Sequence, residues 1–318
     1  MFILIGCRLA GGFLMFFAGV RVIRLALEGM AEAGLRRALR FLAGTPFRAV
    51  ILGAAITGAI QSSSVTTALI VALAGARAVT LREAVGLVLG ANIGATVTIQ
   101  MLAHDVHRHG PAIIVVGLCA QALSLTRSMA WLRASANLRC AGRTMIGVGL
   151  LFTGIRTVAA AAAPLIEGEQ FELIVSLFGG NPISGLIGGT LVSALVQSSS
   201  LTIATTIAAC VRGRLGLSGA LAAAIGANVG TCITAIMAAA GSTVQAKRAA
   251  TSHLVFNSLC AGLFMAFLDP FTWLVSRTSA SVASQVANAH TIFNVVGAAL
   301  ALPLVDFVVA VVEKFVRD

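Results

Sequence analysis

The chain has 318 residues, of which 58% are hydrophobic and only 10% charged, with a mean hydropathy of +0.98. A soluble domain carries about a quarter charged residues, so this composition excludes an ordinary soluble fold and predicts an all-α polytopic membrane protein. The net charge of +11 comes from 22 Lys and Arg scattered through short polar segments with no basic tail, which reads as positive-inside topology and excludes a nucleic-acid surface.

Long apolar runs, in place of short alternating ones, also argue against a transmembrane barrel. In chain order, residues 2–27 form the first predicted span. Leu4-Ile5-Gly6-Cys7 looks like a lipoprotein cleavage box, but only three residues precede it and none is basic, so this segment reads as a span and not as a removable signal. A polar, partly amphipathic connector follows at 28–48, with Arg36, Arg37, Arg40 and Arg48.

Residues 49–76 are apolar but interrupted by Gln61-Ser62-Ser63-Ser64. About 12 residues lie on each side, short of the roughly 20 that a crossing helix needs. These lengths predict a re-entrant hairpin with the serines at its tip; one continuous crossing with a polar midpoint is the alternative.

Spans at 83–103 and 111–126 follow, the first containing Gly90-Ala91-Asn92-Ile93-Gly94. Between them, His104, His107 and His109 flank Asp105, a pattern that reads as a solvated outer loop before it reads as a metal site. The segment 127–143, with Arg127, Arg133, Arg139 and Arg143, is a basic cytoplasmic connector.

The pattern then restarts. Phe16-Phe17-Ala18-Gly19-Val20-Arg21 is echoed by Leu151-Phe152-Thr153-Gly154-Ile155-Arg156. An acidic loop with Glu167, Glu169 and Glu172 precedes a second hairpin at 183–211, built around Gln197-Ser198-Ser199-Ser200. Spans at 217–240, 249–268 and 290–312 complete the chain, the first of them carrying Gly226-Ala227-Asn228-Val229-Gly230. The expected organisation is therefore a first transmembrane repeat (1–126), the connector, a second repeat (144–268), and a final outer segment, span and cytoplasmic C-terminus (269–318).

Charge orients this arrangement. If each hairpin returns to the side it entered from and seven segments cross, the loops at 28–48, 77–82, 127–143 and 241–248 share one face with the C-terminus. They hold 14 of the 22 basic residues, whereas Glu167–Glu172, Asp105 and Asp269 fall on the other face. The C-terminus is then cytoplasmic, the N-terminus outside, and the two repeats are inverted in a plasma (inner) membrane.

Inside a bilayer, irregular backbone persists only where protein or a watery cavity satisfies it. A Gln-Ser-Ser-Ser that opens a half-helix supplies free first-turn N–H groups, the positive end of a helix dipole, and hydroxyls able to donate to an oxyanion or to accept a small cation. Thr66, Thr67, Thr202, Thr205 and Thr206 extend that lining. Glycines flanking Asn92 and Asn228 predict breaks in those spans that expose carbonyls as sodium ligands, with Thr96, Thr98 and Thr234 a turn further on. No carboxylate lies within either hairpin or beside either Asn, which favours an anion escorted by a metal cation over a proton relay. The six cysteines (Cys7, Cys119, Cys140, Cys210, Cys232 and Cys260) lack metal or disulfide spacing and read as small core residues.

On the paired serine and Gly-Ala-Asn-x-Gly motifs, with His253-x-x-Phe256-Asn257 and His290-x-x-Phe293-Asn294, the chain resembles the sodium/inorganic phosphate cotransporter family over 1–313, and its compact bacterial members above all. The resemblance implies phosphate held by Ser62–Ser64 and Ser198–Ser200. Gln61, Gln197, Thr66, Thr202, Asn92 and Asn228 would complete the pocket and its sodium sites. The family often has two threonines after the second glycine; here the pairs are Ala95-Thr96 and Thr231-Cys232, so each repeat lacks one hydroxyl. Many relatives continue into a domain resembling the regulator PhoU, which for this chain implies a separate partner.

The His253/Asn257 and His290/Asn294 pairs read first as interhelical packing. Expected partners are phosphate, sodium as the coupling ion and the lipid bilayer, with a second copy of the chain and a PhoU-like regulator as further candidates; no organic cofactor is expected. Two other readings stand beside sodium-coupled phosphate transport: a symporter for arsenate, sulfate or a dicarboxylate, and a non-transporting phosphate sensor or scaffold. An enzyme fits least, because no nucleophile–base pair appears among the apolar segments.

Overall fold

The computed structural model describes residues 2–31, 45–125, 136–162, 175 and 181–317. Among them the protein is all-α, with no strand. Helices run α1 Phe2–Ala31, α2 Pro46–Ile60, α3 Ser63–Gly75, α4 Leu81–Ala103, α5 Gly110–Leu125, α6 Ala136–Ala162, α7 Pro182–Val196, α8 Ser199–Val211, α9 Leu217–Ala239, α10 Val244–Ala266, α11 Leu268–Ser276, α12 Val282–Ala301 and α13 Val305–Phe315.

The duplication extends to the residue ends of the helices. α2, α3 and α4 begin and end 136 positions before α7, α8 and α9. The starts have a sequence cause: Thr45 and Asn181 cap α2 and α7 through Arg48 N and Ser184 N, and proline fills the first helical position of each. The arms therefore begin at Pro46 and Pro182, slightly before the expected 49 and 183.

The chain forms two compact units that interleave in sequence, residues 1–39 with 105–171 and residues 40–104 with 172–318. Each draws on both repeats, so the repeats are not the packing units. In the first, α6 packs along α1 and α5. Gly19 and Gly154 sit at the α1–α6 crossing, where an added Cβ would stand 2.5 Å from Gly147 O and 2.6 Å from Gly12 O. Lipid supplies no hydrophobic drive between helices, so close backbone approach at small residues takes over that role.

In the second unit α2 packs along α4 and α7 along α9, by the same device used more tightly. A Cβ on Gly90 would lie 2.0 Å from Val50 O, and one on Gly226 2.1 Å from Leu186 O. This corrects one expectation. The glycines around Asn92 and Asn228 do not unwind the helices; α4 and α9 run unbroken through both asparagines, and the glycines admit a neighbouring backbone instead. From Ala84 to Gly94 only Ile93 of α4 is not fully buried, as befits a helix enclosed on all sides.

Among the described residues, four segments are long and apolar enough to cross a membrane: α4, α9, α10 and the stretch 282–315. Shorter apolar helices include α2, α3, α7 and α8. The last segment starts earlier than the expected 290 and is not one helix, because Leu302-Pro303-Leu304 forms a 3-10 turn where proline cannot continue the α ladder. α11 occupies part of the expected outer segment. Arg139 and Arg143 lie on α6 and not in a loop. The acidic residues Glu167, Glu169 and Glu172 fall outside the described residues, as do Arg36, Arg37, Arg40, Arg127 and Arg133. Large apolar side chains stand exposed along the short helices, Leu195 at 82%, as a lipid-facing surface requires. Cys210, Cys232 and Cys260 are buried, whereas Cys7 and Cys119 are exposed.

Candidate binding site at the paired serine tips

Each Gln-Ser-Ser-Ser interrupts its apolar run in the same way. α2 ends where Gln61 enters the left-handed region (φ 59°, ψ 25°), and α7 ends at Gln197 (φ 56°, ψ 31°). These are two of only four non-glycine residues with positive φ among the described residues, a conformation that costs energy and persists where packing imposes it. Ser62 and Ser198 then turn extended, cap α3 and α8, and accept from Val65 N and Leu201 N. One continuous helix through either motif is thereby excluded.

The N–H groups of Ser63, Ser64, Ser199 and Ser200 open α3 and α8, where the helix itself offers no acceptor and the dipole is positive. The hydroxyls of Ser63, Ser199 and Ser200 form no hydrogen bond among the described residues. Ser64 Oγ reaches across the duplication and donates to Gln197 O at 2.8 Å. The two tips therefore meet within the second unit.

Around them, the hydroxyls are largely committed to local carbonyls. Thr66 and Thr202 donate to Ser62 O and Ser198 O, both at 3.0 Å. Thr67 bridges Ser63 O and Ser64 O, and Thr205 and Thr206 bond Leu201 O and Ile203 O. Their protons are spent inside the helix, so towards a ligand these threonines offer oxygen lone pairs, the form a cation takes.

Identical residues differ between the repeats. Thr98 donates to Gln61 Oε1 at 2.9 Å, and Gln61 Nε2 donates to Gly58 O. At the equivalent positions Gln197 Nε2 lies 3.8 Å from Met237 Sδ, and Thr234 Oγ1 is buried without a partner. Asn92 Nδ2 donates to Asn257 Oδ1 at 3.1 Å, whereas Asn228 Oδ1 meets His290 Nε2 at 3.3 Å. Thr96 donates to Ile93 O at 2.7 Å.

Ala95 and Cys232, the positions where the resemblance implies a threonine, have visible consequences. Thr231 pairs with Ser193 Oγ at 2.9 Å, and Ser193 also donates to Ala227 O. In the first repeat Ala95 stands where Thr231 stands, and Thr57 Oγ1, the counterpart of Ser193, is buried with no partner. Cys232, in place of the second threonine, rests against Asn228 O and His253 O.

Among the described residues, Glu83 and Asp306 are engaged elsewhere. Glu83 closes a capping box with Thr80, and Asp306, expected within the last span, sits past the 3-10 turn and pairs with Arg82 at 2.9 Å. His104 caps α4, and 106–109 form a 3-10 turn. The sequence motifs do not point to Ser193, Thr57, Gln100, Asn288 or Thr291; Gln100 Nε2 donates to both Asn288 Oδ1 and Thr291 Oγ1. Ser193 and Thr57 do carry a signal, as polar residues four positions before each tip glutamine. The Gln100 contacts, between α4 and α12, leave no local signal.

Two consecutive stretches, residues 15–160 and 161–302, match the family model described as Na+/Pi-cotransporter. The chain is 29% identical over 293 residues to the uncharacterized protein YqeW of Bacillus subtilis (strain 168), covering 92% of each. It is 24% identical over 300 residues to YjbB of Escherichia coli (strain K12), a protein whose name refers to inorganic phosphate export; the match covers 94% of this chain and 54% of that protein, so the chain spans about half of YjbB. It is also 35% identical over 138 residues to sodium-dependent phosphate transport protein 2A of Ovis aries, over 38% of this chain and 21% of that one. No solved structure matches.

Proposed function

This chain belongs to the Na+/Pi-cotransporter family, and from that membership and the paired tips we propose that it is a multi-pass secondary transporter moving inorganic phosphate coupled to sodium. The observation that carries the reading is the Ser64–Gln197 hydrogen bond, which joins the N-terminus of α3 to the turn between α7 and α8 in the other repeat.

Phosphate binds at the N–H groups and hydroxyls of Ser62–Ser64 and Ser198–Ser200, aided by the dipoles of α3 and α8. Gln61 and Gln197 shape the turns that present them. Sodium takes oxygen ligands from among Thr66, Asn92, Thr96, Thr98, Thr202, Asn228 and Thr234. The repeats are inverted, each Gln-Ser-Ser-Ser is the tip of a re-entrant hairpin, and the C-terminus lies in the cytoplasm of a plasma-membrane protein. Basic residues concentrated on one set of loops support that orientation.

Alternating access then exchanges the two repeats. Unequal bonding of identical residues supports this: Gln61–Thr98 is made where Gln197–Thr234 is not. Gln61 and Thr98 are identical to their counterparts Gln197 and Thr234, which fits a protein held in one of two states. Direction follows the gradients. YjbB is named for export and protein 2A for sodium-dependent transport, and one alternating site serves both.

The test is purified protein in liposomes. Labelled phosphate uptake should accelerate under an inward sodium gradient relative to potassium, and preloaded vesicles should release phosphate when the gradient is reversed. Saturable phosphate binding without flux would favour a sensor. Preference for sulfate or a dicarboxylate in competition would keep the architecture and replace the substrate.

A further inference from the structure

The two Gly-Ala-Asn-x-Gly asparagines have matching local sequence, yet they engage opposite ends of their carboxamides. On α4 the polarity is dictated from the backbone outward. His253 O accepts from Asn257 Nδ2 at 2.9 Å, and a carbonyl can only accept. Asn257 therefore turns Oδ1 towards Asn92, which must present Nδ2. The Asn92 Oδ1 is left without a hydrogen-bond donor among the described residues.

α12 repeats the first step, with Asn294 Nδ2 donating to His290 O at 2.8 Å. The second step differs. Asn228 meets the His290 imidazole and not Asn294. Unlike the fixed Asn257 carboxamide, imidazole can offer a donor or an acceptor at Nε2, according to tautomer. With Asn228 Oδ1 as its partner, Nε2 carries the proton. His290 Nδ1 and Asn228 Nδ2 are then both buried without partners, in side chains exposed by only 2% and 5%.

We propose that His290 is a positioning residue: by holding Asn228 Oδ1 it makes Asn228 an N–H donor to the transported oxyanion, while Asn92 keeps its Oδ1 for the coupling cation. The proposal rests on the transport reading above, takes Asn228 out of the candidate sodium ligands, and divides the two transported ions between the repeats. Small hard cations take oxygen lone pairs, whereas oxyanions take N–H donors. α9, which carries Asn228, packs on α3 and α8, the two helices that begin at the serine tips. Residues that the duplication makes look equivalent thus take ligands of opposite charge, because one has a committed partner and the other a tautomeric one.

The test uses the full chain in liposomes with Asn92→Ala, Asn228→Ala, His290→Leu and His290→Gln. Asn92→Ala should raise half-saturating sodium about tenfold and leave the phosphate KM within about twofold, the size expected for one lost bond to a charged ligand. Asn228→Ala and His290→Leu should do the reverse. His290→Gln, whose Nε2 can still donate to Asn228 Oδ1, should recover most of the phosphate KM. Equal sodium shifts in the two asparagine variants would overturn the proposal, as would a His290→Gln protein as impaired as His290→Leu.

A second measurement needs no transport. In detergent, 15N spectra of histidine-labelled protein should place the His290 proton on Nε2, and the Tm losses of Asn228→Ala and His290→Leu should combine less than additively. A wild-type protein that moves no phosphate would remove the transport reading and the ligand assignment with it. A proton on Nδ1, or additive losses, would remove the His290–Asn228 bond while transport stands.

Discussion

Ser64 donates its hydroxyl proton to the backbone carbonyl of Gln197 at 2.8 Å, across 133 positions of sequence, and so ties the first serine tip to the second. Ser200 holds the equivalent place but makes no matching bond to Gln61 among the described residues. If the two bonds belong to alternate states, Ser64→Ala and Ser200→Ala should bias the protein in opposite directions. One bond contributes about 1 kcal/mol, enough for about a fivefold shift in an equilibrium. Labelling of a Gln197→Cys probe from the two sides of the membrane, in a background without the native cysteines, should show opposite changes. Shifts in the same direction would oppose the exchange.

Ser63 and Ser199 bring hydroxyls uncommitted to any partner among the described residues. Ser63→Ala or Ser199→Ala should weaken phosphate binding about tenfold, the worth of one hydrogen bond to a charged group, while leaving Tm nearly unchanged. Calorimetric titration with phosphate checks this. Unchanged affinity in both single variants and the double variant would count against the tips as the binding site.

Thr98 and Thr234 occupy matching positions with opposite burdens. Thr98→Val breaks the bond to Gln61 Oε1 and should cost about 1 kcal/mol. Thr234→Val removes a buried hydroxyl that has no partner and should be neutral or stabilising by about 1 kcal/mol. Unfolding in detergent distinguishes the two.

Thr57 and Ser193 form a similar contrast with a sequence cause. Ser193→Ala deletes bonds to Ala227 O and Thr231 Oγ1 and should destabilise by about 2 kcal/mol. Thr57→Val should not destabilise, since Ala95 leaves that hydroxyl alone. Ala95→Thr should restore the missing pair and raise Tm.

Gly90→Ala drives a Cβ to 2.0 Å from Val50 O and should cost about 3 kcal/mol, because two backbones must separate. Gly262→Ala, with nothing within 4 Å one turn before the end of α10, should stabilise by up to about 1 kcal/mol through helix propensity. A well-folded Gly90→Ala protein would show that α2 and α4 can part without loss.

Much of this architecture is legible in local sequence. Gln61 and Gln197 end their helices because the apolar arms are too short to cross and because Ser62 and Ser198 cap α3 and α8, all within a few residues. The helix starts at Pro46 and Pro182 are legible too, since a capping residue before proline is a local signal, although apolar character alone places the arms three residues and one residue late. Gly90 and Gly226 mislead, because a glycine that unwinds a helix and one that admits a neighbouring helix have the same local sequence. Only the carbonyls of Val50 and Leu186 across the contact tell them apart.

By itself the sequence determined the membrane class, the duplication and the break at each serine motif, since composition, spacing and capping act over a few residues or repeat along the chain. The tertiary structure decided that Ser64 meets Gln197, that Thr57 is left alone where Ser193 is paired, and that Asn92 and Asn228 commit opposite ends of their amides. A hydrogen bond has a direction, and its direction depends on which group packing brings opposite. For residues 38 to 165 positions apart, no local pattern encodes that choice.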